Sequence, residues 1–139
     1  MVDQEDVMAG EHIFSEDMLH FIAEHFEMDL EKTVMRQRLL ITIIKEILER
    51  NPAIRLRRSG DDIYYNEKKL SVSIATLTRV STAIHTGLNI SSANTPVATV
   101  SLPELGINDW ERFAGEVMRA YCHELADIRL ARCKVKGVD

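Results

Sequence analysis

The sequence predicts an α+β fold, an antiparallel sheet with helices packed mainly on one face. Three observations carry that prediction. Apolar residues recur at helical spacing up to Arg50, where Asn51-Pro52 stops the pattern. From Ile54 the period falls to two, and it stays there through the longest alternating run, Val80 to Ile90. After Asn108 the helical period returns. Helices, then consecutive strands, then a helix are segregated elements, the pattern of an antiparallel sheet covered from one side.

Taken in order, residues 1–14 read as a lead-in, with Ile13 and Phe14 placed to staple a following helix. Ser15 is a predicted N-cap, with Glu16 and Asp17 in a first turn where carboxylates favour the helix N-terminus. Met18, Leu19, Ile22 and Phe26 then follow at helical spacing, so two helices are expected over 15–51. The second, from about Leu30 to Arg50, carries the stripe Leu30, Val34, Leu40, Ile43, Ile44, Ile47 and Leu48.

Antiparallel strands are expected over 54–102. Ile54, Leu56 and Arg58 alternate, Ser59 to Asp62 is a turn, and Ile63-Tyr64-Tyr65 is β-rich. Asn66-Glu67 joins it to the alternating Leu70, Val72 and Ile74, a hairpin pattern. In the long run, Val80, Thr82, Ile84, Thr86, Leu88 and Ile90 share one face; Ser81, Ala83, His85, Gly87 and Asn89 share the other. Residues 91–96 form a loop, Val97–Leu102 a short strand and Pro103–Gly106 a turn. Asn108 and Glu111 make a capping box for a helix over 108–132, and 134–139 is a tail or a short strand.

The chain of 139 residues fits a single domain, long enough to bury a core without disulfides or metal. Hydrophobic residues at 45% and charged residues at 28% are ordinary for a soluble globular protein. No apolar run approaches the roughly 20 residues of a membrane span. The acidic N-terminus has no apolar core of a secretory signal. Cys122 and Cys133 stand eleven positions apart in one predicted helix, about 16 Å at the helical rise and too far for a disulfide. Two free thiols point to a reducing compartment, the cytoplasm.

Charge is distributed unevenly around a net −5. Residues 1–31 hold ten acidic side chains and no Lys or Arg, whereas residues 51–80 hold six basic side chains against three acidic ones. An acidic chain is a poor binder of nucleic acid, whose affinity comes from many phosphate contacts. The basic middle fits a guarded sheet edge or a site for one small anion.

Ser71, Ser73 and Ala75 on one strand, with Ala83, His85, Gly87 and Asn89 on the next, read as one small polar face. Such a face leaves room for a ligand, or for solvent or a covering helix; Gly within a strand often marks close approach of another group. His20, Glu24 and His25 do not have the i, i+4 spacing of a helical metal pair, and Cys122-His123-Glu124 has no second ligand cluster, so no metal set is expected. No phosphate-loop, dinucleotide or nucleophile-elbow signature is present.

Residues 58–90 carry a resemblance. Arg58-Ser-Gly-Asp-Asp-Ile-Tyr-Tyr-Asn-Glu-Lys-Lys-Leu-Ser-Val-Ser-Ile resembles the biotin protein ligase segment Lys-Trp-Pro-Asn-Asp-(Ile/Leu)-Tyr…Lys-Leu-x-Gly-Ile. His85-Thr-Gly-Leu-Asn-Ile resembles that family's Gly-Ile-Gly-Ile-Asn-Val strand. More closely, Gly60–Tyr64, Lys69–Ala75 and His85–Asn89 are similar to segments of the largely archaeal domain-of-unknown-function family 366, related to the biotin and lipoate protein ligases. The closer resemblance covers most of the chain and implies a biotin/lipoate ligase-like, class II synthetase-like fold.

The resemblance implies binding of a small carboxylic acid or nucleotide, with acyl or adenylyl transfer and with ATP and Mg²⁺ as the cofactors such chemistry uses. Lys69 falls on the ligase lysine that contacts the acid carboxylate and the adenylate phosphate, and is the candidate catalytic residue. Arg58 falls on the lysine that opens the ligase motif, Asp61 on its Asn and Asp62 on the Asp near the nucleotide, while Gly87 and Asn89 fall on the strand lining the pocket; Ser71, Ser73 and His85 join these candidates from the small polar face. The departures are the ligase Trp-Pro, here Ser59-Gly60; the ligase Gly, here Val72; and the Gly-Arg-Gly-Arg-x-x-Arg loop, which has no counterpart upstream of Leu30. That absence predicts an N-terminally truncated chain, a start at an internal Met, or a shortened relative. It also raises the alternative of a non-catalytic module that pairs through a sheet edge or helix, with a homo-oligomer expected.

Overall fold

The computed structural model describes residues 11–14, 18–91, 98–134 and 137, the first four by backbone alone. Helix α1 spans Leu30–Leu48. Asp29 caps it, its carboxylate accepting from the Lys32 N–H at 3.0 Å. The apolar buried side of α1 is Leu40, Ile41, Ile43, Ile44, Ile47 and Leu48, whereas Leu30, expected in the stripe, is exposed and Val34 only half-buried. Helix α2 spans Trp110–Ala131 and packs against α1. Its cap is Asp109, which accepts from the Arg112 N–H at 3.1 Å, not the expected Asn108 pair. A carboxylate at that position also complements the helix dipole. Phe113, Ala114, Val117 and Tyr121 fill the core from α2, while Ile128 and Leu130 near its C-terminus stay exposed. No helix among the described residues is long and apolar enough to cross a membrane.

The first expected helix is instead a strand. Strands β1 (Glu11–Phe14) and β2 (Met18–His25) pair antiparallel, and β2 pairs over its whole length with β7 (Thr82–Asn89). Leu19, Phe21, Ala23 and His25 point inward, giving strict alternation. Ala and His at two inward positions hide that alternation, while Met18, Leu19, Ile22 and Phe26 imitate a helical stripe. Eight residues of ladder with β7 decide the outcome, since strand preference is set by context. The predicted cap Ser15 lies outside the described residues.

The larger sheet has the order β1-β2-β7-β6, with β6 at Ser71–Leu77. A second, three-stranded sheet comprises β3 (Arg57–Ser59), β4 (Asp62–Tyr65) and β5 (Lys68–Lys69). Asn66 and Glu67 have φ of 49° and 63°, the left-handed pair that a two-residue hairpin turn between β4 and β5 requires. Ile54 and Leu56 are buried in the approach to β3. Val80 and Ser81 precede β7, and Val80 is exposed whereas Ser81 is buried. After the loop, of which 92–97 lie outside the described residues, Thr99 forms a single parallel bridge to Lys69 in place of the expected strand. Pro103–Leu105 is a 3₁₀ turn closed by Gly106 at φ 87°.

Only one residue, Leu70, separates the two sheets. Leu70 and Ser71 are both fully buried, so alternation slips by one place there. Thereafter Ser71 and Ser73 point inward with Thr82, Ile84, Thr86 and Leu88, whereas Val72 and Ile74 point outward with His85 and Gly87.

Candidate functional site

Lys69 stands where both sheets and the 98–100 segment meet. Its N–H donates to the Ala98 carbonyl at 3.0 Å, and its own carbonyl accepts from the Val100 N–H at 3.0 Å. The same carbonyl accepts from Asn89 Nδ2 at 3.1 Å, and that amide also donates to the Val100 carbonyl at 3.2 Å. Asn89 therefore ties the end of β7 to the lysine backbone. The β4–β5 register sets Lys69 opposite Tyr64 and diagonal to Asp62. Its ammonium lies 3.2 Å from Asp62 Oδ1, with 34% of the lysine side chain exposed. An ammonium has three donors, so a ligand oxygen can join the Asp62 carboxylate on this group. Arg57, over the Tyr64 ring at 4.4 Å, extends the same face and is held by Glu67.

The remaining candidate residues lie elsewhere. Arg58 is exposed and donates to the Gly60 carbonyl at 2.8 Å. Asp61 turns toward α1, where Gln37 Nε2 donates to its Oδ2 at 3.1 Å and to Ser73 Oγ at 2.9 Å. Ser73 Oγ in turn meets Thr86 Oγ1 at 2.8 Å. Ser71 Oγ accepts from the Ile63 N–H at 3.0 Å. The expected small polar face is thus two faces. Ser73 is opposite Thr86 and Ile74 is opposite His85, so the serines lie beneath α1 and the histidine on the other side of the sheet. A one-residue slip sends every side chain to the opposite face.

On the outer face His85 Nε2 lies 2.9 Å from His20 Nδ1, with the rings edge-on. Desolvation, and then the neighbouring His85, lower the pKa of His20. Four residues of β7 separate His85 from Asn89, about 14 Å along the strand. The histidine pair and the Lys69 junction therefore cannot hydrogen-bond the same small polar group. Gly87 lies between them, and the space over it is filled by β2: a Cβ there would meet Met18 Cε at 2.8 Å and His20 Nδ1 at 3.2 Å. The structure brings together Lys69, Asp62 and Asn89, and separates them from Arg58, Asp61, Ser71, Ser73 and His85. His20 and Gln37 were not among the sequence candidates. His20 belongs to a segment read as helical, and nothing in the sequence pairs Gln37 with Ser73.

The mixed fold, an antiparallel sheet with helices on one side, is that of the biotin/lipoate protein ligase-like proteins. A biotin protein ligase of Aquifex aeolicus, a point mutant solved with biotin, superposes with TM-score 0.65 at 21% identity, over 78% of this chain and 50% of that one. The P. falciparum protein LipL1, solved with lipoate, superposes with TM-score 0.56 at 16% identity, over 88% of this chain and 37% of that one. At such identities the likeness shows the fold alone.

The chain belongs to the family described as Domain of unknown function (DUF366), whose model matches residues 1–136. An uncharacterised protein of Methanocaldococcus jannaschii is 42% identical over 118 residues, covering 84% of this chain and 53% of that protein. A protein of unknown function from Pyrococcus horikoshi superposes with TM-score 0.79 at 39% identity, over 91% of this chain and 68% of that one. The chain spans about half the length of the M. jannaschii relative.

Proposed function

We propose that the chain binds a small carboxylic acid at the Lys69 junction, the carboxylate on the lysine ammonium and the apolar body along the outer sheet face. The observation that carries this reading is the setting of Lys69: a backbone tied to three segments, an ammonium still partly open, and an apolar surface beginning three residues away. Val72 and Ile74 on that surface are 57% and 60% exposed. The ligase-fold structures solved with biotin, with biotin and ATP, and with lipoate support an acid of this kind. Activation of the acid by ATP and Mg²⁺, followed by acyl or adenylyl transfer, extends the same reading, with Lys69 stabilising the developing phosphoryl charge. Titration calorimetry with biotin, lipoate and ATP tests it. Saturable heat with one of the acids, lost in Lys69→Ala, is expected; no heat with any of the three, or heat that Lys69→Ala leaves intact, overturns it.

A second reading rests on β6. It is the last strand of its sheet, and among the described residues no strand pairs with its free edge. Its sequence, Ser71–Leu77, carries no charge, and Val72, Ile74 and Leu77 are exposed. Charges and prolines are what blunt a strand edge against pairing. Self-pairing through β6 would make the chain a homo-oligomer. The free thiols Cys122 and Cys133 support a reducing compartment such as the cytoplasm for either reading.

A further inference from the structure

Residues from the N-terminal half of α1 and the C-terminal end of α2 line a cleft of about 530 Å³. That volume is in the range of small-molecule sites. Met35, Leu39, Leu125 and Ile128 give the cleft apolar walls, although Met35 and Ile128 are 60% and 48% exposed. Lys32, Arg36, Arg129 and Arg132 also line it. Glu27 answers two of these cations, at 2.9 Å from Lys32 and 2.6 Å from Arg36. The residues that line the cleft include these four cations and no carboxylate.

Two buried nitrogens without a partner among the described residues belong to side chains that line the cleft. His25, fully buried, lines the cleft, and its Nδ1 has no partner among the described residues; nor has Arg36 Nη1. His25 Nε2 is occupied by the Tyr121 hydroxyl at 2.7 Å. When the hydroxyl donates to Nε2, the imidazole proton resides on Nδ1 and becomes a donor. Burial holds this imidazole neutral, its pKa lowered to about 4, so in that tautomer it offers a neutral N–H beside the arginine. Buried polar groups are nearly always paired, and two unpaired donors in one cationic cleft mark a place for an acceptor.

We propose that this cleft binds an amphipathic anion, a carboxylate on a medium-length alkyl chain, with the head group on Arg36 and His25 and the chain between Met35 and Ile128. A neutral apolar ligand would leave both donors unpaired; a polar anion such as inorganic phosphate would leave the walls wet. The site is separate from Lys69 and does not depend on any role for that residue.

Calorimetry of the whole chain with decanoate below its micellar concentration tests this, with decanol as the uncharged comparator and ¹⁵N NMR of the His25 ring as the locator. Expected are one saturable site, at least tenfold weaker binding of decanol, and a displaced His25 Nδ1 resonance on adding decanoate. Arg132→Glu and Ile128→Glu, both at exposed positions, should each weaken decanoate binding at least tenfold while leaving the thermal midpoint within a few degrees. Absence of saturable heat, equal affinity for decanol and decanoate, or an unmoved His25 signal overturns the proposal. The wild-type comparisons decide the matter even if either variant folds poorly.

Discussion

His25 and Tyr121, 96 residues apart in the chain, meet through a buried 2.7 Å hydrogen bond between Nε2 and the phenol oxygen. This contact fastens the end of β2 to the middle of α2. Burial pushes the tyrosine hydroxyl far above its usual pKa and the imidazole far below its own. Both groups are therefore neutral partners over the ordinary pH range.

The histidine has a consequence for acid stability. Its folded-state pKa is about 4 against an ordinary 6.5, with desolvation the largest cause. The unfolded chain takes up this proton first, so stability is complete above pH 6.5 and falls as the pH drops from 6.5 toward 4. At about 1.4 kcal/mol per unit, the loss approaches 3 kcal/mol. His20, also lowered, adds to it in the same direction. Urea denaturation at steps of pH should show this slope, and His25→Gln should flatten most of it. A slope that the variant leaves unchanged would assign it to other groups.

Gly87 is held by its neighbours in β2 rather than by a need for unusual backbone. Alanine there overlaps the Met18 methyl, a flexible end that can move, so a cost of about 1 kcal/mol is expected. The penalty should shrink in a Met18→Ala background. A double-mutant cycle on unfolding free energies measures the coupling; additive costs would show that the two residues do not share the space.

Gln37 bridges α1, the β3–β4 turn and the large sheet by donating to Asp61 and Ser73. Gln37→Leu leaves Asp61 without this donor and removes one partner of the Ser73–Thr86 pair beneath the helix. Destabilisation of about 2 kcal/mol is expected, with about 1 kcal/mol for Ser73→Ala. Chemical denaturation of both variants checks the ranking, and a reversed order would move the weight of the network to the hydroxyl pair.

The β6 edge makes its own forecast. If copies pair there, Ile74→Lys should convert the dimer to monomer in size-exclusion with light scattering, with little change in far-UV circular dichroism. A wild-type monomer at high concentration would remove this reading.

Both long helices were legible from their period, although the cap of α2 is Asp109 rather than Asn108, and β7 was legible because Thr82, Ile84, Thr86 and Leu88 alternate cleanly. Strand β2 was not, since its inward set includes Ala23 and His25 and its identity comes from pairing with β7. The arrangement of Ser71 and Ser73 was hidden by Leu70, where two successive buried residues shift the alternation. Lys69 is a candidate from its motif alone, whereas its tie to Asn89 needs the two sheets in place. The His20–His85 contact depends on the β2–β7 register, which no local pattern encodes.

At position 69 the main chain and the side chain have separate duties. Ala98, Val100 and Asn89 engage the amide and carbonyl of the residue whatever its side chain. The side chain itself contributes one solvent-facing ion pair, worth under about 1 kcal/mol to folding. The group that this point of the scaffold presents can accordingly be exchanged, one amino acid for another, with almost no penalty to the architecture around it.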